Sequence, residues 1–139
     1  MRLVLDTDVV VAAMRSPAGA SAAIVRAARE SRVTILLSVA LVLEYEAVCG
    51  EAEHRTVAGL SPEEAEIYVT ALIAMAEPVP VRYIWRPQLR DPADEMVLEA
   101  AVNGGADALV TFNTRDFGST PARFGIEVLL LREVIGRLK

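Results

Sequence analysis

Four acids stand where an apolar segment ends or is interrupted, and they are the residues of this chain best placed to do chemistry. Asp6 closes the short apolar run Arg2-Leu3-Val4-Leu5, and Asp8 follows two residues on. A carboxylate at a strand's carboxyl end suits metal or nucleophilic chemistry, because sites in parallel sheets form there. If the strand continued, Asp6 and Asp8 would project to the same face. Asp94 heads a stripe of Val97, Leu98, Ala101 and Val102, spaced to share one face of a helix. An ionised carboxylate on a core-facing stripe needs a partner or a changed protonation state. The alternative role for Asp94 is that of a first-turn acid completing a capping box with Asp91. Glu44 interrupts another apolar helix between Leu41 and Val48, but Glu46 has similar neighbours in Val42, Leu43 and Cys49, and periodicity does not separate the two. Asp116 follows Thr111-Phe112-Asn113-Thr114-Arg115 in a polar loop, where a turn aspartate is the ordinary reading. Taken together, these acids cannot all be buried unneutralised. With no histidine or thiolate beside them, they suit a hard divalent cation, Mg²⁺ or Mn²⁺.

The elements that must position them follow from local signals. Arg2 to Leu5 and Val33 to Leu37 read as strands. Ser16 to Gly19 is a turn before an alanine-rich helix, Ala20 to Ser31. Ser38 caps a helix that runs to Gly50. Ser61-Pro62-Glu63-Glu64 carries a cap, a proline at the first helical position and a glutamate in the capping-box place, which predicts a helix to about Glu77. Val79 to Ile84 is expected to be a strand. Asp91 opens a helix that Gly104-Gly105 closes, and Ala108 to Phe112 and Ile126 to Leu131 complete the strands. Strands alternating with helices imply a parallel sheet covered on both faces.

The bulk composition narrows the class. At 139 residues, with no repeat or linker visible, residues 1–139 read as one domain. A hydrophobic content of 53% argues against disorder, and no apolar stretch approaches the length of a spanning helix. Asp6 and Asp8 break the N-terminal apolar run, so it does not read as a signal peptide. Cys49 and His54 are each alone, which excludes a Cys/His zinc site. The simplest reading is a cytoplasmic protein with no membrane association. The net charge of −5 is unusual for a protein that binds nucleic acid, but with four acids committed to a metal the remainder is close to neutral.

The order and spacing of these motifs resemble a PIN domain over nearly the whole chain, closest to the bacterial toxin-type (VapC-like) members. Leu3-Val4-Leu5-Asp6-Thr7-Asp8 resembles the family's opening strand and first acid. Ser38 followed by Glu44-Tyr45 resembles the segment of the second acid, which favours Glu44 over Glu46. Asp91-Pro92-Ala93-Asp94 with Val97-Leu98-Glu99-Ala100-Ala101 resembles the third-acid helix. Ala106 to Phe117 resembles the closing motif, with Asp116 as fourth acid and Thr111 as a polar neighbour. The chain departs from the family pattern at Asp8, where many members have Asn, and at Asn113, where others have a further aspartate.

The resemblance implies a three-layer α/β/α sandwich around a mainly parallel sheet. It also implies an endoribonuclease in which Asp6, Glu44, Asp94 and Asp116 hold Mg²⁺ or Mn²⁺, with Asp8, Asp91, Thr111 and Asn113 as auxiliary residues. Metal-bound water would cut the RNA phosphodiester, leaving 5′-phosphate and 3′-hydroxyl ends. Arg15 and Arg115, in loops after acid-bearing strands, are the candidates to meet substrate phosphates. A cognate antitoxin and a homodimer are the implied partners, with Ile67, Tyr68, Ala71, Leu72 and Met75 as one possible interface stripe. Two other readings compete. A haloacid-dehalogenase-like phosphatase would use Asp6 as nucleophile and Asp8 as acid/base, but that chemistry needs a lysine and the chain has only Lys139. A non-catalytic PIN-like binding module would have lost some of the four acids, and none is missing.

Overall fold

The computed structural model describes residues 1–83 and 88–138. Five strands, β1 (Arg2–Leu5), β2 (Thr34–Leu37), β3 (Glu77–Pro78), β4 (Ala108–Val110) and β5 (Glu127–Leu129), form a parallel sheet in the order β3-β2-β1-β4-β5. The helices are α1 (Thr7–Arg15), α2 (Ala20–Arg29), α3 (Val39–Cys49), α4 (Ala52–Ala58), α5 (Pro62–Met75), α6 (Pro92–Gly104) and α7 (Leu131–Leu138). Helix α6 packs on β1, β2 and β4, while α1 packs against α2, α3 and α4, and α3 against α5. By the right-handed rule, connections that run in opposite directions across the sheet lay these two groups on opposite faces. The result is a three-layer α/β/α sandwich. Leu3, Val4 and Leu5 and the whole of β4 are completely buried, as central parallel strands covered on both faces must be.

The order of the strands decides where a site can form. The chain leaves β1 towards β2 but leaves β4 towards β5. The winding therefore reverses between β1 and β4, which opens a crevice at their carboxyl ends. Asp6 and Thr111 are the first residues past those two strands.

The caps read from the sequence are present. Ser38 Oγ accepts from Leu41 N at 3.2 Å. Ser61 and Glu64 make the reciprocal capping box at 3.1 and 3.0 Å. Asp91 accepts from Ala93 N at 2.9 Å, and Gly105 ends α6 in the left-handed region at φ 61°. Other expectations are corrected. The third strand is Glu77–Pro78, ahead of the expected Val79 to Ile84. Val79 still donates to Leu37 O at 2.8 Å, but Pro80 has no N–H with which to continue a ladder. Beyond it, Asn103 accepts from Arg82 N and Tyr83 N and donates to Tyr83 O, so a side chain replaces the ladder. Ile84, the end of the expected strand, lies outside the described residues, as does Lys139. The chain also does not stay extended after Asp6: α1 begins at Thr7, so the shared strand face for Asp6 and Asp8 is not formed. The β-branched Val9-Val10-Val11 hid this helix from a propensity reading. Helices α4 and α7 also went unread. Among the described residues, no single helix is long and apolar enough to cross a membrane.

Two tyrosines tie the helical layer to the site-bearing strand. Tyr45, fully buried on α3, donates its hydroxyl to Leu5 O at the end of β1. Tyr68 on α5 donates to Val10 O at 2.8 Å. Burial holds both phenols well above the ordinary tyrosine range. Removing the first hydroxyl strands a buried carbonyl, whose desolvation costs about 1–3 kcal/mol. Tyr45→Phe is therefore expected to lower the free energy of unfolding, measured by urea denaturation, by that amount; an unchanged value would show that the bond contributes nothing.

Candidate active site

The site is built outward from Asp6. It caps α1 and spends both carboxylate oxygens locally: Oδ1 accepts from Thr7 N at 2.8 Å, and Oδ2 from Thr111 Oγ1 at 2.7 Å. Thr111 is completely buried, and its hydroxyl accepts from Asn113 N at 3.0 Å. The crevice between β1 and β4 is thus bridged by one threonine, and the loop after β4 hangs from the same oxygen. Burial is the main influence raising the Asp6 carboxyl above its ordinary range. The Thr111 hydrogen bond opposes it, and the charges of Asp8 and Asp116 add to it.

Asp94 enters from α6, one turn before the stripe's apolar members. It is 8% exposed, while Val97 and Ala101 on the same face are fully buried. Its carboxyl is pushed up to about 7, first by burial and then by Asp6, Asp91, Asp116 and Asp8. That sequence of causes shows which acids share one electrostatic neighbourhood. Asp8 and Asp116 are exposed, Asp116 on a single 3₁₀ turn (Thr114–Asp116) that follows Asn113. Asp91 caps α6. Glu44 is half-buried on α3 and Glu46 is exposed. Glu44 is not among the charges acting on Asp6 or Asp94, although α3 packs against both α1 and α6. Arg15 and Arg115 are both exposed.

Several supporting residues were not singled out from sequence. Tyr45 fixes the end of β1. Glu95, 4% exposed, accepts from Gln88 N at 2.6 Å and Leu89 N at 2.8 Å, so a buried carboxylate anchors the segment leading into α6. Asn103 holds the segment before it. A glutamate directly after Asp94 and an asparagine near the end of an apolar helix were the available signals, but neither spacing points to a backbone partner.

The raised Asp94 carboxyl gives a signed expectation. Its ordinary value is 3.8 and its folded value about 7. Between them the folded protein keeps a proton that the unfolded chain releases, so stability falls as pH rises through this window and levels off above it. Asp6 contributes in the same direction. In chelator, Asp94→Asn should melt above wild type at pH 8, and the two should converge on acidification towards pH 4. Equal melting temperatures at both values would rule out a raised Asp94.

Comparison with known proteins agrees with this architecture. A family model described as PIN domain matches residues 2–115. A search of curated protein sequences finds no significant match. Among solved structures, the chain is similar to one in the crystal structure of VapBC2 from Rickettsia felis bound to a DNA fragment from their promoter. The TM-score is 0.64 at 14% identity, covering 94% of this chain and 98% of that one. With the family model spanning most of its length, this chain belongs to the PIN domain family.

Proposed function

We propose that this protein is a metal-dependent endoribonuclease and the toxin of a toxin–antitoxin pair. The observation that carries the reading is the crowding of acids at the sheet's switch point, where the charges of Asp8 and Asp116 act on Asp6, and those of Asp6, Asp8, Asp91 and Asp116 act on Asp94. Family membership and the similarity to a VapBC2 chain support it, and favour it over a phosphatase using Asp6 and Asp8.

The donor set fits a hard divalent cation by its chemistry. All the candidate ligands are carboxylate oxygens, and their repulsion is what a cation would relieve. Thr7 Oγ1, buried next to Asp6, has no hydrogen-bond partner among the described residues. As they stand, no three acidic, histidine or cysteine side chains among those residues are grouped to hold one ion, so binding requires them to draw together. Asp6, Asp94 and Asp116, with Glu44 from the flank, would hold Mg²⁺ or Mn²⁺. When bound, the ion supplies an acidified water and charge stabilisation at the phosphate. The chain's own residues prepare that chemistry. Thr7 N and Thr111 fix the Asp6 carboxylate, Asn113 N orients Thr111, and Asp91 sets the start of the helix that presents Asp94. Arg15 and Arg115 offer exposed guanidinium groups to substrate phosphates.

The partners follow the same support. A groove of about 570 Å³ is lined by apolar residues such as Met14, Val25 and Ile67, together with Arg26, Arg29 and Glu64. It suits an apolar segment of an antitoxin that carries acidic residues. The stripe read on α5 is split: Leu72 lies in the core, while Ile67 and Ala71 are exposed. Exposed Val39 and Leu43 on α3 offer a second apolar surface, consistent with a homodimer.

Purified protein with labelled single-stranded RNA should cut only with Mn²⁺ or Mg²⁺, stop with EDTA, and leave 5′-phosphate ends. Asp94→Asn, prepared identically, should lose about a hundredfold or more of the rate. Cutting that persists in the variant would remove Asp94 from the site, and metal-independent cutting would remove the mechanism.

A further inference from the structure

A second feature adjoins the acids. A cleft of about 390 Å³, within the size range of small-ligand sites, runs along α1. Asp8, Val11, Ala12 and Arg15 line it at the i, i+3, i+4, i+7 spacing of one helix face. At the helical rise, Asp8 and Arg15 stand about 10 Å apart along the axis. The cleft thus begins at the acid cluster and ends at a cation. His54 from α4 lies across it, its Nδ1 3.4 Å from Arg15 Nη1 and its Nε2 3.6 Å from Glu51 Oε2. Among the described residues, no carboxylate is paired with Arg15. Phe112, the residue after Thr111, completes the lining, and it is 50% exposed while nearby Phe117 is buried in the core. A half-exposed aromatic in one cleft with an acid of the cluster and an arginine that no carboxylate pairs has the elements of single-strand recognition, in which a ring stacks on a base and a cation takes the phosphate.

We propose that this cleft is the subsite for the nucleotide next to the cleaved phosphodiester. Phe112 stacks on its base, Arg15 binds its phosphate, and His54 steadies the guanidinium. The inference rests on the ribonuclease reading and adds which residues hold the strand in register. Because Phe112 and Arg15 are exposed, Phe112→Ala and Arg15→Ala should fold with unchanged circular dichroism.

Binding of a fluorescein-labelled single-stranded RNA, followed by anisotropy in EDTA, tests it, with KM and kcat measured in Mn²⁺. Phe112→Ala should weaken binding about fivefold or more, with Phe112→Trp restoring it. Arg15→Ala should reduce the slope of log affinity against log salt by about one. An RNA abasic at the stacked position should bind wild type and Phe112→Ala equally. Wild-type affinity and KM in both variants would overturn the subsite while leaving metal-dependent cleavage standing. Failure of the wild-type protein both to bind and to cut RNA would overturn the underlying reading, and the subsite with it.

Discussion

The arrangement depends on a single carboxylate, that of Asp6, held between the first N–H of a helix and the hydroxyl of a threonine from the neighbouring strand. This contact joins β1, α1 and β4 at the point where the winding of the sheet reverses. Burial, with the like charges of Asp8 and Asp116, favours the protonated form of Asp6, and its two hydrogen bonds oppose this by favouring the ionised carboxylate. Asp8, Asp94 and Asp116 lie in its electrostatic neighbourhood, though among the described residues no three acids are yet grouped about one ion. Asp94 rides on a helix whose next turns are locked into the core by Val97 and Ala101, and Asp116 rides on the loop that Thr111 suspends.

The cost of that arrangement is electrostatic. Without a cation, the protein either keeps a proton on Asp94, whose carboxyl is pushed up to about 7, or tolerates repulsion among the acids. Rigid support makes this tolerable. Tyr45 anchors α3 to the end of β1, and Glu95 anchors the approach to α6 through two backbone N–H groups. Stability is thereby concentrated around a site that is itself destabilising, the usual relation between a functional centre and its scaffold.

Much of this was legible in the sequence, for identifiable reasons. The central strands are continuous apolar runs, and Ser38, Ser61, Asp91 and Gly105 mark helix ends by side-chain chemistry that needs no tertiary partner. Asp94 was visible because a charge interrupts a stripe. By contrast, α1 was hidden behind β-branched residues, and β3 was misplaced because Val79-Pro80-Val81 looks extended whether or not it pairs. The roles of Tyr45, Glu95 and Asn103 depend on backbone groups brought near by folding. His54 and Phe112 line one cleft, although 58 positions of chain order carry no hint of it.

The central claim is that the crowded acids are poised for a divalent cation. Titrating the protein with Mn²⁺ by calorimetry at pH 6 and pH 9, in buffers of different ionisation enthalpy, tests it directly. The account predicts binding that releases protons at pH 6, because Asp94 must give one up, and almost none at pH 9. Binding with no proton release at pH 6, or no binding at either pH, would contradict it.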